Sequence, residues 1–261
     1  MKMKQWSLHR MSVALWITAM TMSTSCLEGG RNTVSNTTVG MIRLDAKAFK
    51  NVLDVPGGTF YAPQFDTMSD GACCIVRYEL DFDAPENSLT MLQAYGYYTV
   101  MITYKEDVDK YLLLSALTDT AAVLPEETAV MDPVTSCLGY LKGMLFVAHQ
   151  LKKASDQREI WHLSYDPQTA VKEENGRHVF DVYLRATVRV AGTRTPEDSY
   201  EVCAYDMKYF LESAAERVKN AGNTLFSIRF NYVSEIGENA LTWNRRELEL
   251  QVTDILQETA N

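Results

Sequence analysis

The sequence predicts a mainly β protein of two modules: a small five-stranded barrel, then an antiparallel β-sandwich carrying one helix. Three observations lead there. Most of the chain alternates apolar and polar side chains with the period of a half-buried strand. One stretch near residues 206–221 has helical spacing instead, and a polar, proline-bearing stretch from Asp119 to Pro133 divides the strands into two groups.

The first 25 residues are not part of either module. Lys2, Lys4 and Arg10 form a positive n-region, Met11–Met22 is an apolar run, and Ser23, Thr24 and Ser25 precede Cys26. That run is shorter than the roughly 20 apolar residues a membrane-spanning helix needs. The pattern predicts a lipoprotein signal over residues 1–25, cleaved before Cys26, with acylation of the Cys26 sulfur as the lipid attachment. Ser23 stands where such signals usually have leucine. Residues 26–38 are polar and contain glycine, the composition of a tether.

The barrel is expected over residues 39–125, in five strands: VGMIRLD, GTFYAPQF after the Pro56-Gly57-Gly58 turn, ACCIVRYELDF, GYYTVMITY and KYLLLSAL. In the third, Cys74, Val76, Tyr78, Leu80 and Phe82 share one face and Arg77, Glu79 and Asp81 the other. The same rule expects one of Cys73 and Cys74 to be buried and the other turned outward. In GYYTVMITY, Tyr98, Val100, Ile102 and Tyr104 share a core face.

The sandwich is expected over residues 133–261. CLGYLKGMLFVAHQL and EIWHLSYD flank a polar turn, and HVFDVYLRATVRV carries Phe180, Val182, Leu184, Ala186, Val188 and Val190 on one face, so it covers a core on one side. Met207, Phe210, Leu211, Ala214 and Val218 form the stripe of the helix at about 206–221, with Asp206 at its start and Gly222 just past its end. TLFSIRFNYV and ELELQV close the module as strands. Both tryptophans of the mature chain, Trp161 and Trp243, lie in this half. A chain ending near Val130 is expected to fold by itself with no tryptophan emission.

Composition narrows the chemistry. The mature chain has 22 basic and 34 acidic side chains, a net charge of −12 spread over both halves. The barrel has Arg43, Lys47, Lys50, Arg77, Lys105 and Lys110 against twice as many acids, so nucleic acid is not an expected partner. His149, His162 and His178 each stand alone, and no zinc, phosphate-loop, dinucleotide or nucleophile-elbow motif is present, so no metal, cofactor or catalytic residue is assigned. The acidic turn Asp81–Asn87 lacks calcium-loop spacing and reads as a solvated turn. Cys73, Cys74, Cys137 and Cys203 match no redox spacing; a Cys137–Cys203 bridge is allowed, and free, mostly buried thiols are the preferred reading. Tyr95, Tyr97 and Tyr98 crowd one segment and suit either a recognition surface or packing.

The layout resembles the NigD-like lipoproteins of Bacteroidota. The resemblance rests on the signal, ELDFDAPENS, KASDQREIWHLSYD, DVYLRA and IRFNYVSEI. It implies an OB-like barrel followed by a β-sandwich, and it brings no established activity and no catalytic residues. The expected function is a non-enzymatic envelope lipoprotein, anchored to the outer membrane through its N-terminal lipid and binding an envelope protein, a peptide or a polysaccharide through its two β modules. The alternatives are a fimbrillin-like structural or adhesive subunit assembled by strand addition and, behind it, a hydrolase with a dispersed site.

Overall fold

Alternation builds the first half, as expected, but over somewhat different segments. The computed structural model describes residues 32–117, 119–168, 171–174, 176–238 and 240–258; the signal and Cys26 lie outside them. Strands β1 (Thr33–Asp45), β2 (Lys50–Val55), β3 (Gly58–Tyr61), β4 (Cys73–Asp81), β5 (Tyr98–Thr99) and β6 (Met101–Leu114) form the first group, with helix α1 (Leu89–Tyr95) before β5. β1 pairs antiparallel with β2 and β4, β2 with β3, and β4 with β6. β3 pairs in parallel with β5, and only Val100 separates β5 from β6, so this pairing closes the circuit of strands. Inside lie Ile42, Leu53, Val55, Phe60, Cys74, Val76, Leu80 and Val100, with Phe65 from a 3-10 turn at Pro63–Thr67. Tyr78, Tyr98 and Ile102 pack against them, whereas Phe82 and Tyr104 are exposed.

Three boundaries differ from the sequence expectation. β1 starts at Thr33, inside the stretch taken as tether, because backbone pairing of Thr33–Met41 with β4 needs no apolar periodicity. β2, which the alternation did not single out, supplies a strand, and GYYTVMITY and KYLLLSAL contribute to one long β6 rather than to separate strands.

The second half contains β7 (Glu127–Thr128), β8 (Val130–Leu141), β9 (Met144–Lys153), β10 (Arg158–Ser164), β11 (Val171–Glu174), β12 (Arg177–Val190), β13 (Glu197–Asp206), helix α2 (Lys208–Asn220), β14 (Leu225–Ile236), β15 (Leu241–Gln251) and helix α3 (Val252–Glu258). One core gathers Leu145, Val147 and Leu151 of β9, Cys203 and Tyr205 of β13, and Trp161, Leu163, Phe180, Val182, Leu184, Phe226, Ile228 and Phe230 of β10, β12 and β14. Leu211, Ala214, Ala215 and Val218 of α2 and Ile255 of α3 join it. Fully burying an aliphatic or aromatic side chain is worth about 1.5–3 kcal/mol, so this cluster is the main source of cohesion.

The mainly β class holds, with three α-helices among the described residues rather than one. Not every pairing is antiparallel: β12 runs parallel to β14, and β6 runs parallel to β10 and β13. The β12–β14 crossover takes β13 and α2 along, which is how two neighbouring strands can point the same way. The stretch CLGYLKGMLFVAHQL is a hairpin, not one strand. Lys142 and Gly143, with φ of 48° and 93°, form its two-residue turn between β8 and β9. α2 ends as expected: Gly222 has φ of 80°, its N–H reaches the Lys219 carbonyl, and the Asn223 N–H reaches that of Val218. Among the described residues the four cysteines, Cys73, Cys74, Cys137 and Cys203, are free, and Cys73 and Cys74 are both buried.

The reason both faces of β4 are buried also unites the two halves. Val39, Cys73 and Val108 pack with Leu141, Phe146 and Ala204 in a separate core cluster between the barrel and the β8–β9–β13 ladder. β6 pairs through Met101–Val108 with β4, through Asp109–Leu112 with β13 and through Leu113–Leu114 with β10. Asp54 of β2, buried, binds Arg43 at 2.9 Å and Lys142 of the second half at 2.5 Å, and accepts the Thr59 hydroxyl at 2.9 Å. The shared strand and cluster lead to an expectation opposite to the one drawn from composition. A chain ending near Val130 should expose Val39 and Cys73 and aggregate, and the full chain should unfold in one transition. Coincident urea curves from tryptophan fluorescence and far-ultraviolet circular dichroism would check this.

Candidate functional site

Among the described residues no group of three or more His, Cys, Asp or Glu is placed to hold a metal. The acidic turn is engaged with its own backbone. Asp81 Oδ1 accepts the Asp83 N–H at 2.9 Å, Asp83 Oδ2 accepts the Asn32 N–H at 3.1 Å, and the buried Asn87 donates to the carbonyls of Asp81 and Thr99. These contacts close the base of the barrel.

The tyrosines converge at the β3–β5 edge. Tyr95 stacks on Tyr97 with centroids 5.7 Å apart, Tyr97 meets Tyr61 at 5.5 Å, and Lys50 Nζ lies 4.1 Å from the Tyr61 centroid. The Tyr61 hydroxyl donates to Asp66 at 3.1 Å. Because each ring covers its neighbour, Tyr97 is buried and Tyr95 is left as the exposed end of the row. Of the three tyrosines marked by the sequence, Tyr97 and Tyr98 pack and Tyr95 faces outward; Tyr61, Lys50 and Asp66 were not marked.

A second cluster lies inside the second half. His149 is fully buried, stacked 4.3 Å from Trp161. Its Nδ1 meets the Pro133 carbonyl, which can only accept, so Nδ1 carries the proton and Nε2 accepts the Tyr205 hydroxyl at 2.7 Å. Cross-strand from His149 is Glu201. Lys153 Nζ sits between Glu159 at 2.5 Å and Glu201 at 2.6 Å, and Gln157 donates to the far oxygen of Glu159 at 2.6 Å. Burial pushes the Glu201 carboxyl up, with Lys153 only partly offsetting it. Burial pulls the Lys153 ammonium down, but its two carboxylates more than restore it, and it ends above the usual lysine range. Burial first, with the nearby Glu201 carboxyl adding to it, drives the Cys203 thiol and the Tyr205 hydroxyl up, so neither is ionised at neutral pH.

A third buried ion pair fixes the connection between the halves. Arg185 holds both oxygens of Glu127 at 2.5 Å, and donates to the carbonyls of Asp119 and Ala122 at 2.7 and 2.6 Å. Both side chains are at most 1% exposed. Trp243 donates to the Thr120 carbonyl at 2.9 Å and lies against the Arg185 guanidinium. The stretch read as the boundary between the two groups of strands is therefore strapped onto β12. With Asp181 also buried, β12 is covered on both faces rather than one.

These clusters hold layers together; each buried charge is matched by partners of opposite sign. They were visible in the sequence as charges in an apolar phase: Lys153 follows Leu151, Glu159 precedes Trp161, and Glu201 precedes Cys203 at two-residue spacing. His149 makes a measurable prediction. Burial lowers its pKa from 6.5 to about 4. Between those values the unfolded chain binds the extra proton, so this stability is complete above about pH 6.5 and is lost as pH falls toward about 4. At 1.36 kcal/mol per unit the loss is roughly 3 kcal/mol. Urea unfolding of the wild type should weaken between about pH 7.5 and about pH 4.5 by that amount more than unfolding of His149→Gln.

Residues 30–106 match the family model of a lipoprotein OB domain. No curated protein matches the chain. Among solved structures, an uncharacterized protein from Parabacteroides merdae is similar with a TM-score of 0.70 at 16% identity, over 83% of this chain and 99% of that one. A putative toxin-related protein from Parabacteroides distasonis gives 0.54 at 9% identity, over 87% and 98%. A putative lipoprotein from Bacteroides fragilis gives 0.53 at 8% identity, over 83% and 97%. At such identities the likeness is one of fold. The chain thus carries a lipoprotein OB domain at its N-terminus, within a mainly β fold that it shares with proteins of Parabacteroides and Bacteroides.

Proposed function

We propose that the protein is a lipid-anchored, non-enzymatic lipoprotein of the outer membrane whose two β modules bind an envelope or extracellular partner, a protein, a peptide or a polysaccharide. The observation that carries this reading is the lipoprotein OB domain match beginning at residue 30, four residues beyond Cys26, where the sequence has a lipoprotein signal. Support for a binding rather than a catalytic role comes from the interior charges. Lys153, Glu159, Arg185, Glu127 and His149 are turned toward one another and toward backbone carbonyls, positions in which they brace strands rather than meet a substrate.

One observation favours strand addition as a second reading. The Phe82 N–H bonds the Asn32 carbonyl, which sets the alternation of β1 and turns the backbone groups of Thr33, Ser35 and Thr37 away from β4. Among the described residues no strand pairs with β1 there, and the edge Thr33–Thr38 has no charge or proline. Ser35→Pro should leave the β1–β4 ladder intact while abolishing any self-association seen in sedimentation.

Two measurements test the main reading. Cys26→Ala should lose acyl labelling and leave the membrane fraction, whereas a wild type that is unlabelled and soluble after lysis would refute the anchor. Single-stranded DNA or RNA should show no binding at physiological salt, where even non-specific binders reach about 10⁻⁴ to 10⁻⁶ M. Affinity in that range, weakening steeply with salt, would instead put nucleic acid among the partners.

A further inference from the structure

Helix α1 has an apolar face that the fold leaves uncovered. At 100° per residue, Met91, Tyr95, Leu92 and Leu89 fall within about 160° of arc, and Thr90, Gln93 and Ala94 occupy the remainder. An amphipathic helix of a globular domain normally turns such a stripe into the core. Here α1 buries no residue: Leu89 is 70% exposed, Tyr95 41% and Met91 36%, and Phe82 nearby is 38% exposed. The helix is nonetheless held in place. Gly96 ends it in the left-handed conformation, and Asn87, just before it, is buried and bonded to the carbonyls of Asp81 and Thr99.

The position of this face in the chain says what covers it. Asn32, the first described residue, is hydrogen-bonded on both sides to the segment that leads into α1: its N–H to Asp83 Oδ2 and its carbonyl to the Phe82 N–H. Five residues, and so six Cα-to-Cα steps, separate Cys26 from Asn32, a contour of at most about 22 Å. An acyl chain on Cys26 therefore keeps this end of the barrel close to the bilayer.

We propose that the α1 end of the OB domain rests on the membrane, with Leu89, Met91 and Tyr95 entering the headgroup region. This rests on the lipid anchor at Cys26. An apolar helix face adds to membrane affinity in proportion to the area it buries, so the helix is a second contact beside the anchor. Tyrosine suits the site, since its ring partitions into the interface while the hydroxyl stays hydrated. The partition is apolar, not electrostatic. Residues 78–104 contain no Lys or Arg, and Asp81, Asp83 and Glu86 would repel anionic headgroups, so the contact fits zwitterionic lipid.

The acylated full-length protein carrying Leu89→Cys, labelled with bimane, is compared with the same protein carrying Tyr209→Cys, a residue 84% exposed on α2. The cysteines of the fold are buried or half-buried and compete little for the label. In vesicles of phosphatidylethanolamine and phosphatidylcholine, the label at position 89 should shift to the blue. Spin-labelled lipids should quench it about threefold or more over position 209, independently of salt. Protein that floats with the vesicles while the label at 89 stays solvent-like overturns the proposal and leaves the anchor intact. A blue shift without lipid quenching also overturns it, since a protein surface then covers the helix. Protein that takes no acyl label and does not float overturns the anchor, and the proposal with it.

Discussion

The whole arrangement depends on β6 being one strand. Residues Met101–Leu114 enter the ladders of both halves, pairing with β4 first and with β13 and β10 afterwards. A strand cannot change register or face partway without a bulge, so the orientation of the barrel sheet dictates where the β13 and β10 ladders begin. The cluster of Val39, Cys73, Val108, Leu141, Phe146 and Ala204 then fills the wedge between them. Lys142 adds a specific contact. It adopts a positive φ, a conformation costing a side chain of this kind roughly 1–2 kcal/mol, and its ammonium reaches the buried Asp54. Burial raises the Asp54 carboxyl, but the bonds from Arg43, Lys142 and Thr59 outweigh it and hold the group below the usual carboxylate range. The pair is thus retained at neutral pH, and its stabilisation fades only as pH falls through that lowered value.

Buried charge serves the second half as a means of fixing geometry. Replacing a buried ion pair by apolar residues is often neutral or stabilising, so Lys153–Glu159–Glu201 and Arg185–Glu127 are poor explanations of stability as such. What they set is register. The planar guanidinium of Arg185 reaches Glu127 and two carbonyls of the 119–122 stretch only in one placement of that stretch. His149 acts similarly: its two ring nitrogens tie Pro133 at the start of β8 to Tyr205 on β13. The bulged pairing of β8 around Asp132–Ser136 is where Pro133 can be tolerated in a strand.

For a protein tethered by a short segment, the end of the fold that receives the tether is the end nearest the lipid. Asn32 enters the barrel beside Phe82 and Asp83, and the exposed apolar residues of α1 follow within the same loop. In the proposed function that end carries the anchor, and the net acidic second half begins at the opposite end of β6, at Asp109–Leu114.

Side-chain period determined, from the sequence by itself, that the protein is mainly β, that Cys74, Val76 and Leu80 face one core and Phe180, Val182, Leu184 and Ala186 another, and, through helical spacing and a glycine, that the helix after β13 ends at Gly222. These are local consequences of side-chain period and backbone freedom. Only the tertiary structure decided the rest. Cys73 is buried because β8 and β9 cover a face that alternation alone leaves to solvent. The 119–127 stretch is strapped down because a guanidinium 58 residues further on finds Glu127. The hairpin at Lys142-Gly143 is not legible in the sequence because lysine seldom takes a positive φ; a distant carboxylate, Asp54, supplies the reason it does so here. Alternation records which face a residue takes, but what covers that face depends on strands far away in the chain, whose pairing no local period encodes.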